Sequence, residues 1–189
     1  TAMYHVVESL VRWLAPILSF TAEEIWQHIP GGREDSVLLS GWYEPDGAFE
    51  DQGGLDMEFW QRVITIREAA GKELEKLRVD GAIGSSLDAE VDLFVDEDTV
   101  RLLAQIEDEL RFVQITSYAR VHPAEERPDG AVEAGPDTGL WIRVTPSQYN
   151  KCIRCWHHRE DVGSHPEHPE ICGRCVDNVA GGGETRRFA

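Results

Sequence analysis

Four cysteines near the end of the chain have the type and spacing of metal ligands. Cys152 and Cys155 form one Cys-x-x-Cys pair, and Cys172 and Cys175 form a second pair after sixteen intervening residues. Each pair can form a tight turn that directs two sulfurs at one point, and four thiolates complete the tetrahedral shell of a zinc ion. A complete shell leaves no position for a reactive water, so we predict one structural Zn²⁺ and no catalytic residues.

Two other uses of these cysteines are disulfides and a redox dithiol. A redox dithiol does not need a matching second pair, and disulfide scaffolds usually have a higher cysteine content. Zinc contributes on the order of 10 kcal/mol to segments of this kind, and residues 149–189 are too few and too polar to form a large core without it. Four histidines in the intervening loop could replace a cysteine, but we interpret them as loop residues: His157, His158, His165 and His168.

The charge of the chain limits where it could bind a polyanion. The chain has 189 residues and a formal net charge of −17, which disfavours nucleic-acid binding by most of its surface. From residue 147 onward, basic and acidic residues are equal in number, so the whole negative excess lies in residues 1–146. The zinc segment is therefore the surface most suited to a polyanion.

The first residue, the lengths of the apolar segments and the use of cysteine bear on the cellular location of the protein. The chain begins with Thr1 rather than Met, so we expect a piece cut from a longer protein. No basic stretch followed by an apolar run predicts a signal peptide, and no run of eighteen apolar residues predicts a membrane span. Cysteines reserved for a metal suit a reducing compartment. We expect a cytoplasmic protein without a membrane partner.

Hydrophobic periodicity predicts an α+β fold that is mainly helical. Residues 2–15 carry an apolar stripe at helical spacing, and Thr21-Ala-Glu-Glu24 has the pattern of a capping box for a second helix over residues 22–28. A long amphipathic helix is predicted over residues 55–78 with Asp56 as its cap. We expect this helix to be one member of an antiparallel helical bundle.

The period of the pattern changes in the middle of the chain. Alternating apolar and acidic residues over 87–95 predict a half-buried strand, and Asp98 can cap a helix that ends near residue 110. Further strands are predicted over residues 112–121 and 140–144, with a loop between them.

These elements suggest three regions. We expect a helical region over residues 1–80, a small α+β unit over residues 81–148 and a four-cysteine zinc-knuckle module over residues 149–189. Neither a Gly-rich phosphate loop nor a Ser/His/Asp grouping can be recognised from the spacing of residues.

Several stretches resemble known protein families. Val11-Arg-Trp-Leu-Ala-Pro-Ile-Leu-Ser-Phe-Thr-Ala-Glu-Glu-Ile-Trp26 resembles the anticodon-binding helical domain of class I aminoacyl-tRNA synthetases. Gly84-Ser-Ser-Leu-Asp-Ala-Glu-Val91 is similar to a segment that follows those helices in the isoleucyl and valyl enzymes. Lys151-Cys-Ile-Arg-Cys-Trp-His157 and Glu170-Ile-Cys-Gly-Arg-Cys-Val176 resemble the C-terminal zinc module of the bacterial isoleucyl-tRNA synthetase family.

The resemblance implies a role in the ATP-dependent attachment of isoleucine to its tRNA by a monomeric full-length enzyme. The His-Ile-Gly-His and Lys-Met-Ser-Lys-Ser motifs of the ATP-binding catalytic domain are absent from this chain, as is anything similar to the editing domain. We therefore expect the chain alone to be inactive and to bind tRNA-Ile, with its helices near the anticodon stem-loop and the zinc module as a cap.

Unpaired anticodon bases can stack on aromatic side chains. Trp156, next to a zinc ligand, is the candidate platform, with packing over the metal as the alternative. Five basic residues are candidates for tRNA contacts, and a solvated tail is the alternative for the last two of them: Lys151, Arg154, Arg174, Arg186 and Arg187.

Two other hypotheses belong to different functional classes. DNA glycosylases of the formamidopyrimidine type have a similar zinc ribbon that binds duplex DNA, but their chemistry needs an N-terminal proline amine, and this chain is acidic and begins with Thr1. Alternatively, zinc stabilises a non-enzymatic interaction module. Binding of tRNA-Ile, an unrelated tRNA and duplex DNA distinguishes these possibilities.

Overall fold

The computed structural model describes residues 2–44, 55–135 and 138–184. The chain divides into two compact units, Thr1–Gly53 and Gly54–Ala189. Each unit has its own buried apolar core. Among the residues described, no helix is both long and apolar enough to cross a bilayer.

The first unit contains two helices, α1 (Ala2–Leu14) and α2 (Ser19–His28), followed by a short 3-10 turn. The Trp26 side chain lies at the centre of its core, and its indole N–H donates to the Glu34 carbonyl at 2.8 Å. The other buried core residues come from both helices and the segments that follow them: Val11, Ala15, Ala22, Ile29 and Val37.

The structure confirms the first helix but not the capping box. Helix α2 begins at Ser19, so Thr21 lies inside it rather than at its cap. The reason is that hydrogen bonding continues from α1, since the N–H of Leu18 donates to the Leu14 carbonyl at 2.7 Å. Glu23, rather than Glu24, has the structural role, because its carboxylate accepts from the Ser36 hydroxyl at 2.7 Å.

The second unit begins with the long helix α3 (Met57–Val79), whose predicted cap is confirmed because the Asp56 carboxylate accepts from the Phe59 N–H at 2.8 Å. Its remaining elements are β1 (Ala89–Val95), α4 (Glu97–Leu103), α5 (Leu110–Gln114), β2 (Tyr118–Pro123), β3 (Val132–Glu133), β4 (Trp141–Pro146), β5 (Asn150–Lys151), β6 (His158–Arg159) and α6 (Gly173–Ala180).

Strands β1 to β4 form one sheet in the order β2-β1-β4-β3. Strand β1 pairs in parallel with β2, and β4 pairs antiparallel with both β1 and β3. Strands β5 and β6 form a separate antiparallel hairpin. The α+β fold class is therefore confirmed.

The apolar stripe of α3 packs on the sheet. Phe59, Val63 and Ile66 share one buried core with Val91 and Leu93 of β1. We predicted a helical bundle as the partner of this stripe, and the sheet takes that place. Amphipathic spacing specifies which face of a helix is buried but not what covers it. The division into three regions stays a prediction.

Strand β1 is buried along its entire length, although we predicted a half-buried strand. Its odd-numbered residues belong to the core shared with α3, while Glu90 and Asp92 lie on the opposite face. These two acids are buried because arginines on the neighbouring strands pair with them: Arg120 Nη2 is 2.7 Å from Glu90, and Arg143 Nη2 is 2.8 Å from Asp92.

Two further features differ from the sequence predictions, the cap of α4 and the start of β2. Asp96, not Asp98, caps α4 by accepting from the Thr99 N–H at 2.8 Å. Residues 112–114 belong to α5, and Ile115, which follows the last residue of this helix, is in the left-handed conformation with φ of 56°. The predicted strand therefore begins only at Tyr118.

Candidate metal centre and nucleic-acid interface

The fold brings both Cys-x-x-Cys pairs together. The Sγ atoms of Cys152, Cys155, Cys172 and Cys175 all lie within 4.8 Å of one another. Cys155 is half-buried and the other three are buried, with Ile171 in the same small core. Four sulfurs at these separations can surround one tetrahedral metal ion, with no open position for water.

The first pair lies on the turn that joins β5 to β6. The Cys152 N–H donates to the His157 carbonyl at 2.9 Å, and the Trp156 N–H donates to the Cys152 carbonyl at 2.9 Å. Trp156 closes this turn in the left-handed region, with φ of 65°. The turn therefore directs both sulfurs inward while the tryptophan remains at its surface.

The second pair lies at the start of α6, where Cys172 occupies the cap position and Cys175 the first turn. The Gly173 N–H donates to the Asp161 carboxylate at 2.8 Å. A Cβ atom at this glycine would lie 2.8 Å from an Asp161 oxygen, so a side chain there would displace the aspartate. Gly173 thus permits the contact that holds the intervening loop against α6.

Without a metal ion, burial opposes ionisation of three of the thiols, those of Cys152, Cys155 and Cys172. Burial raises the pKa of Cys155 to about 11, and burial also raises the pKa of Cys172. Burial opposes ionisation of Cys152 too, but backbone N–H groups of Cys155, Cys172 and Arg154 outweigh it and lower its pKa to about 6. A divalent cation stabilises all four thiolates, so this donor set fits Zn²⁺.

Three of the predicted tRNA-binding residues lie beside the cysteines. Arg154 Nη1 lies 3.5 Å from the Cys175 sulfur. Arg174 pairs with the Glu184 carboxylate, with 2.8 Å between Nη2 and Oε1. Trp156 is 61% exposed.

The structure describes one of the other three predicted tRNA-binding residues, Lys151. Lys151 pairs with Asp88 at 3.2 Å. Arg186 and Arg187 lie outside the described residues.

Asp88 joins the cysteine-bearing segment to the sheet. Its carboxylate accepts from the Ser85 N–H at 2.8 Å and lies 3.3 Å from His158 Nε2, in addition to its contact with Lys151. Burial opposes its ionisation, but these donors outweigh burial and lower its pKa to about 2. A second link is the N–H of His158, which donates to the Ser117 hydroxyl at 2.5 Å.

The sequence prediction missed a group of residues beside the metal centre. Arg111 of α5 is only 7% exposed, and its guanidinium carbon lies 4.3 Å from the centre of the Phe112 ring. The same ring lies 4.9 Å from the guanidinium carbon of Arg174 and makes an edge-to-face contact with His157. This grouping could not be inferred because the residues around 112 were predicted as a strand.

Comparison with known proteins identifies two regions. Residues 1–93 match the family described as the anticodon-binding domain of tRNA ligase. Residues 150–178, which contain all four cysteines, match the family described as the zinc finger found in FPG and IleRS. The zinc finger and the clustered sulfurs fit one structural zinc ion.

Curated relatives match the chain over its whole length. The isoleucine–tRNA ligase of Nitrosococcus oceani is 58% identical over 189 residues. Those of Methylococcus capsulatus and Thioalkalivibrio sulfidiphilus are each 57% identical, over 194 and 191 residues. In each comparison, all of this chain is covered, but the chain spans only 20% of the relative's length.

Proposed function

We propose that the chain is the tRNA-binding part of an isoleucine–tRNA ligase. Its residues 1–93 match the anticodon-binding domain of tRNA ligase, and residues 150–178 match the zinc finger found in FPG and IleRS. The full-length enzyme, a cytoplasmic monomer in this proposal, attaches isoleucine to tRNA-Ile with ATP. The chain itself lacks the catalytic motifs and binds tRNA without performing that reaction.

Zinc has a structural role in this proposal. Cys152, Cys155, Cys172 and Cys175 would hold the ion with four thiolates, which leaves no position for substrate or water. The ion would supply folding free energy to a segment whose own apolar core is small. Its contribution to RNA binding is to keep the turn that carries Trp156 in one conformation.

The exposure and backbone conformation of Trp156 are the observation that carries the proposal. A bulky residue at positive φ is unfavourable, and such residues concentrate at functional sites. This tryptophan combines a φ of 65° with 61% exposure, so it gains little from burial in return. An exposed indole on a rigid turn suits the stacking of an unpaired base.

Neighbouring cations support RNA as the ligand. Arg154 lies in the same turn as Trp156, and Arg174 lies in the first turn of α6, beside the same cysteines. Lys151, just before the first cysteine, is a further candidate for a phosphate contact, although it also pairs with Asp88. Binding would be local, since the rest of the chain is acidic.

Replacement of Trp156 tests the stacking role. Trp156→Ala should weaken binding of tRNA-Ile by about 1–3 kcal/mol, because one base loses its stacking partner. Trp156→Gly should weaken binding similarly while folding stability stays equal or rises, because glycine accepts positive φ without strain. Fluorescence anisotropy with labelled tRNA-Ile and urea denaturation measure the two effects.

Met57→Ala is the matched control, because Met57 is 82% exposed and lies at the start of α3. An unrelated tRNA and duplex DNA serve as competitors. Equal binding of all three nucleic acids, or tRNA binding that does not respond to Trp156→Ala, would contradict the proposal. Arg154→Ala and Arg174→Ala should in addition flatten the salt dependence of binding, since each removes a phosphate contact.

A further inference from the structure

Among the residues that the structure describes, Arg111 is a buried cation without a close anionic partner. It is 7% exposed, and within this part of the chain its Nε atom has no hydrogen-bond partner. The carboxylate paired with it, that of Asp108, is 3.9 Å away and belongs to a side chain that is 83% exposed. A buried charge is unfavourable unless it is paired and hydrogen-bonded, so this position needs an explanation beyond packing.

Two further arginines come close to Arg111. Arg174 stacks on the Phe112 ring that Arg111 also contacts, and Arg159 lies over the Tyr118 ring with 4.2 Å between its guanidinium carbon and the ring centre. Burial, followed by the charge of Arg159, lowers the pKa of Arg111, and Arg174 acts in the same direction. The fold therefore gathers like charges from α5, β6 and α6.

In the described part of the chain, Arg111 and Arg159 have no carboxylate at hydrogen-bond distance. Glu184 pairs with Arg174. Within the described ranges, Arg159 has no ion pair, and its guanidinium donates to the Ser117 carbonyl at 3.5 Å. Arg154, rather than Arg111 or Arg159, is the arginine that contacts a cysteine sulfur.

We propose that Arg111, Arg159 and Arg174 form a phosphate-binding site between α5, β6 and α6. The planar guanidinium group matches the geometry of phosphate oxygens, and the aromatic rings of Phe112 and Tyr118 hold two of these planes in place. The side chain of Arg174 is 26% exposed and Arg159 is half-buried, so the cluster is accessible from solvent.

The ligand is a phosphate group, either a phosphodiester of an RNA backbone or a free phosphate ion. The RNA source rests on the proposed function, whereas binding of free phosphate does not. Of the three arginines in this site, only Arg174 was among the tRNA-binding residues predicted from the sequence. Free phosphate and RNA can be distinguished because each is titrated into the chain in a separate experiment.

Nuclear magnetic resonance of the zinc-loaded chain tests the site directly. The arginine Nε–Hε signals are followed during titration with inorganic phosphate, with sodium chloride at equal ionic strength as the reference, and separately with an anticodon stem-loop RNA. We expect the Arg111 signal to shift with phosphate or RNA but not with chloride, because its Nε–H gains an acceptor. Arg159→Lys should weaken the phosphate response of Arg111 about tenfold, because the planar fork is lost while the charge remains.

Arg101→Lys is the matched control, because Arg101 is exposed and pairs with Glu97 on α4; it should leave the phosphate response unchanged. Zinc content and the dispersion of the amide signals confirm that each variant is folded. Arg159 rather than Arg111 is replaced because Arg159 is less buried. A shift with RNA alone supports the site with RNA as its source, and a shift with phosphate alone supports it with a free anion.

Absence of any shift beyond the chloride reference in both titrations would overturn the site. This outcome differs from failure of the proposed function, which is measured by the effect of Trp156→Ala on tRNA binding. RNA binding that depends on Trp156, without any response at Arg111, would leave the proposed function standing and remove the phosphate site.

Discussion

The sheet and the zinc module both bury charged groups, but they balance those charges differently. On β1, Asp92 has a side chain that is 6% exposed, and it contacts Arg143 at 2.8 Å and His122 at 3.0 Å. Beside the cysteines, Arg111 is similarly buried and its paired carboxylate lies 3.9 Å away. The sheet therefore completes its own charge balance, whereas in the described part of the chain no carboxylate lies at hydrogen-bond distance from Arg111.

The cysteines show the same contrast. Glu90 accepts a hydrogen bond from the Ser147 hydroxyl at 2.7 Å and pairs with Arg120, so its partners come from the protein itself. Burial instead opposes ionisation of Cys155 and Cys172, and a metal ion is the group that stabilises their thiolates. Buried charges paired within the chain belong to the fold, and the proposals of ligands rest on those left unpaired within the described residues.

Removal of zinc should have the largest effect and should be confined to the module. Chelation removes on the order of 10 kcal/mol of binding free energy, so residues around the hairpin of β5 and β6 and helix α6 should lose their dispersed amide signals. The signals of β1 should persist, because its ion pairs do not involve the metal. Two-dimensional NMR before and after chelation measures both regions.

Cys172→Ser is the genetic equivalent of chelation and should give the same pattern with less than one bound zinc ion per chain. Simultaneous loss of the β1 signals would show that the sheet depends on the metal and would break the contrast between the two regions.

Truncation of Asp92 should have the next largest effect. Asp92→Ala leaves Arg143, Arg120 and His122 without their shared carboxylate, and breaking a buried pair of this kind costs about 3 kcal/mol. Urea denaturation of the zinc-loaded chain measures the change, and zinc content should remain that of the unmodified chain.

Glu97→Ala is the control for that experiment. Glu97 and Arg101 form an ion pair with side chains that are 79% and 68% exposed, so the change should stay within about 0.5 kcal/mol. Equal losses in the two variants would contradict the importance that we assign to burial of Asp92.

The pH dependence of the sheet should be the smallest effect. Burial opposes ionisation of Asp92, but hydrogen bonds from Arg143 and His122 outweigh it and hold its pKa below the ordinary value. The stabilisation from this shift is complete above the pKa of Asp92 in the unfolded chain, which is about 4, and disappears as pH falls through its lower pKa in the folded chain.

The metal-free chain is the suitable sample, because acid also releases zinc by protonating the thiolates. The difference in unfolding free energy between this chain and Asp92→Asn should shrink as pH falls below about 4. A difference that is independent of pH would indicate that Asp92 contributes through packing rather than charge.

Sequence patterns predicted the elements whose causes are local. The α3 helix and its Asp56 cap are confirmed, because capping involves atoms three residues apart. The resemblance to tRNA-ligase domains and the zinc finger is confirmed too, since the cysteine spacing is itself the signal. The start of β2 was wrong because the apolar residues over 112–121 fit both a strand and the α5 helix that precedes it.

The sequence by itself determined that four sulfurs could hold one metal ion, that α3 has one apolar face and which families the chain resembles. Only the tertiary structure decided that the sheet covers α3, that β1 is buried on both faces and that Arg111 and Arg174 contact the same Phe112 ring. The physical reason is that these contacts join residues far apart in the chain. Glu90 and Asp92 could be buried only once the fold had placed Arg120 and Arg143 opposite them.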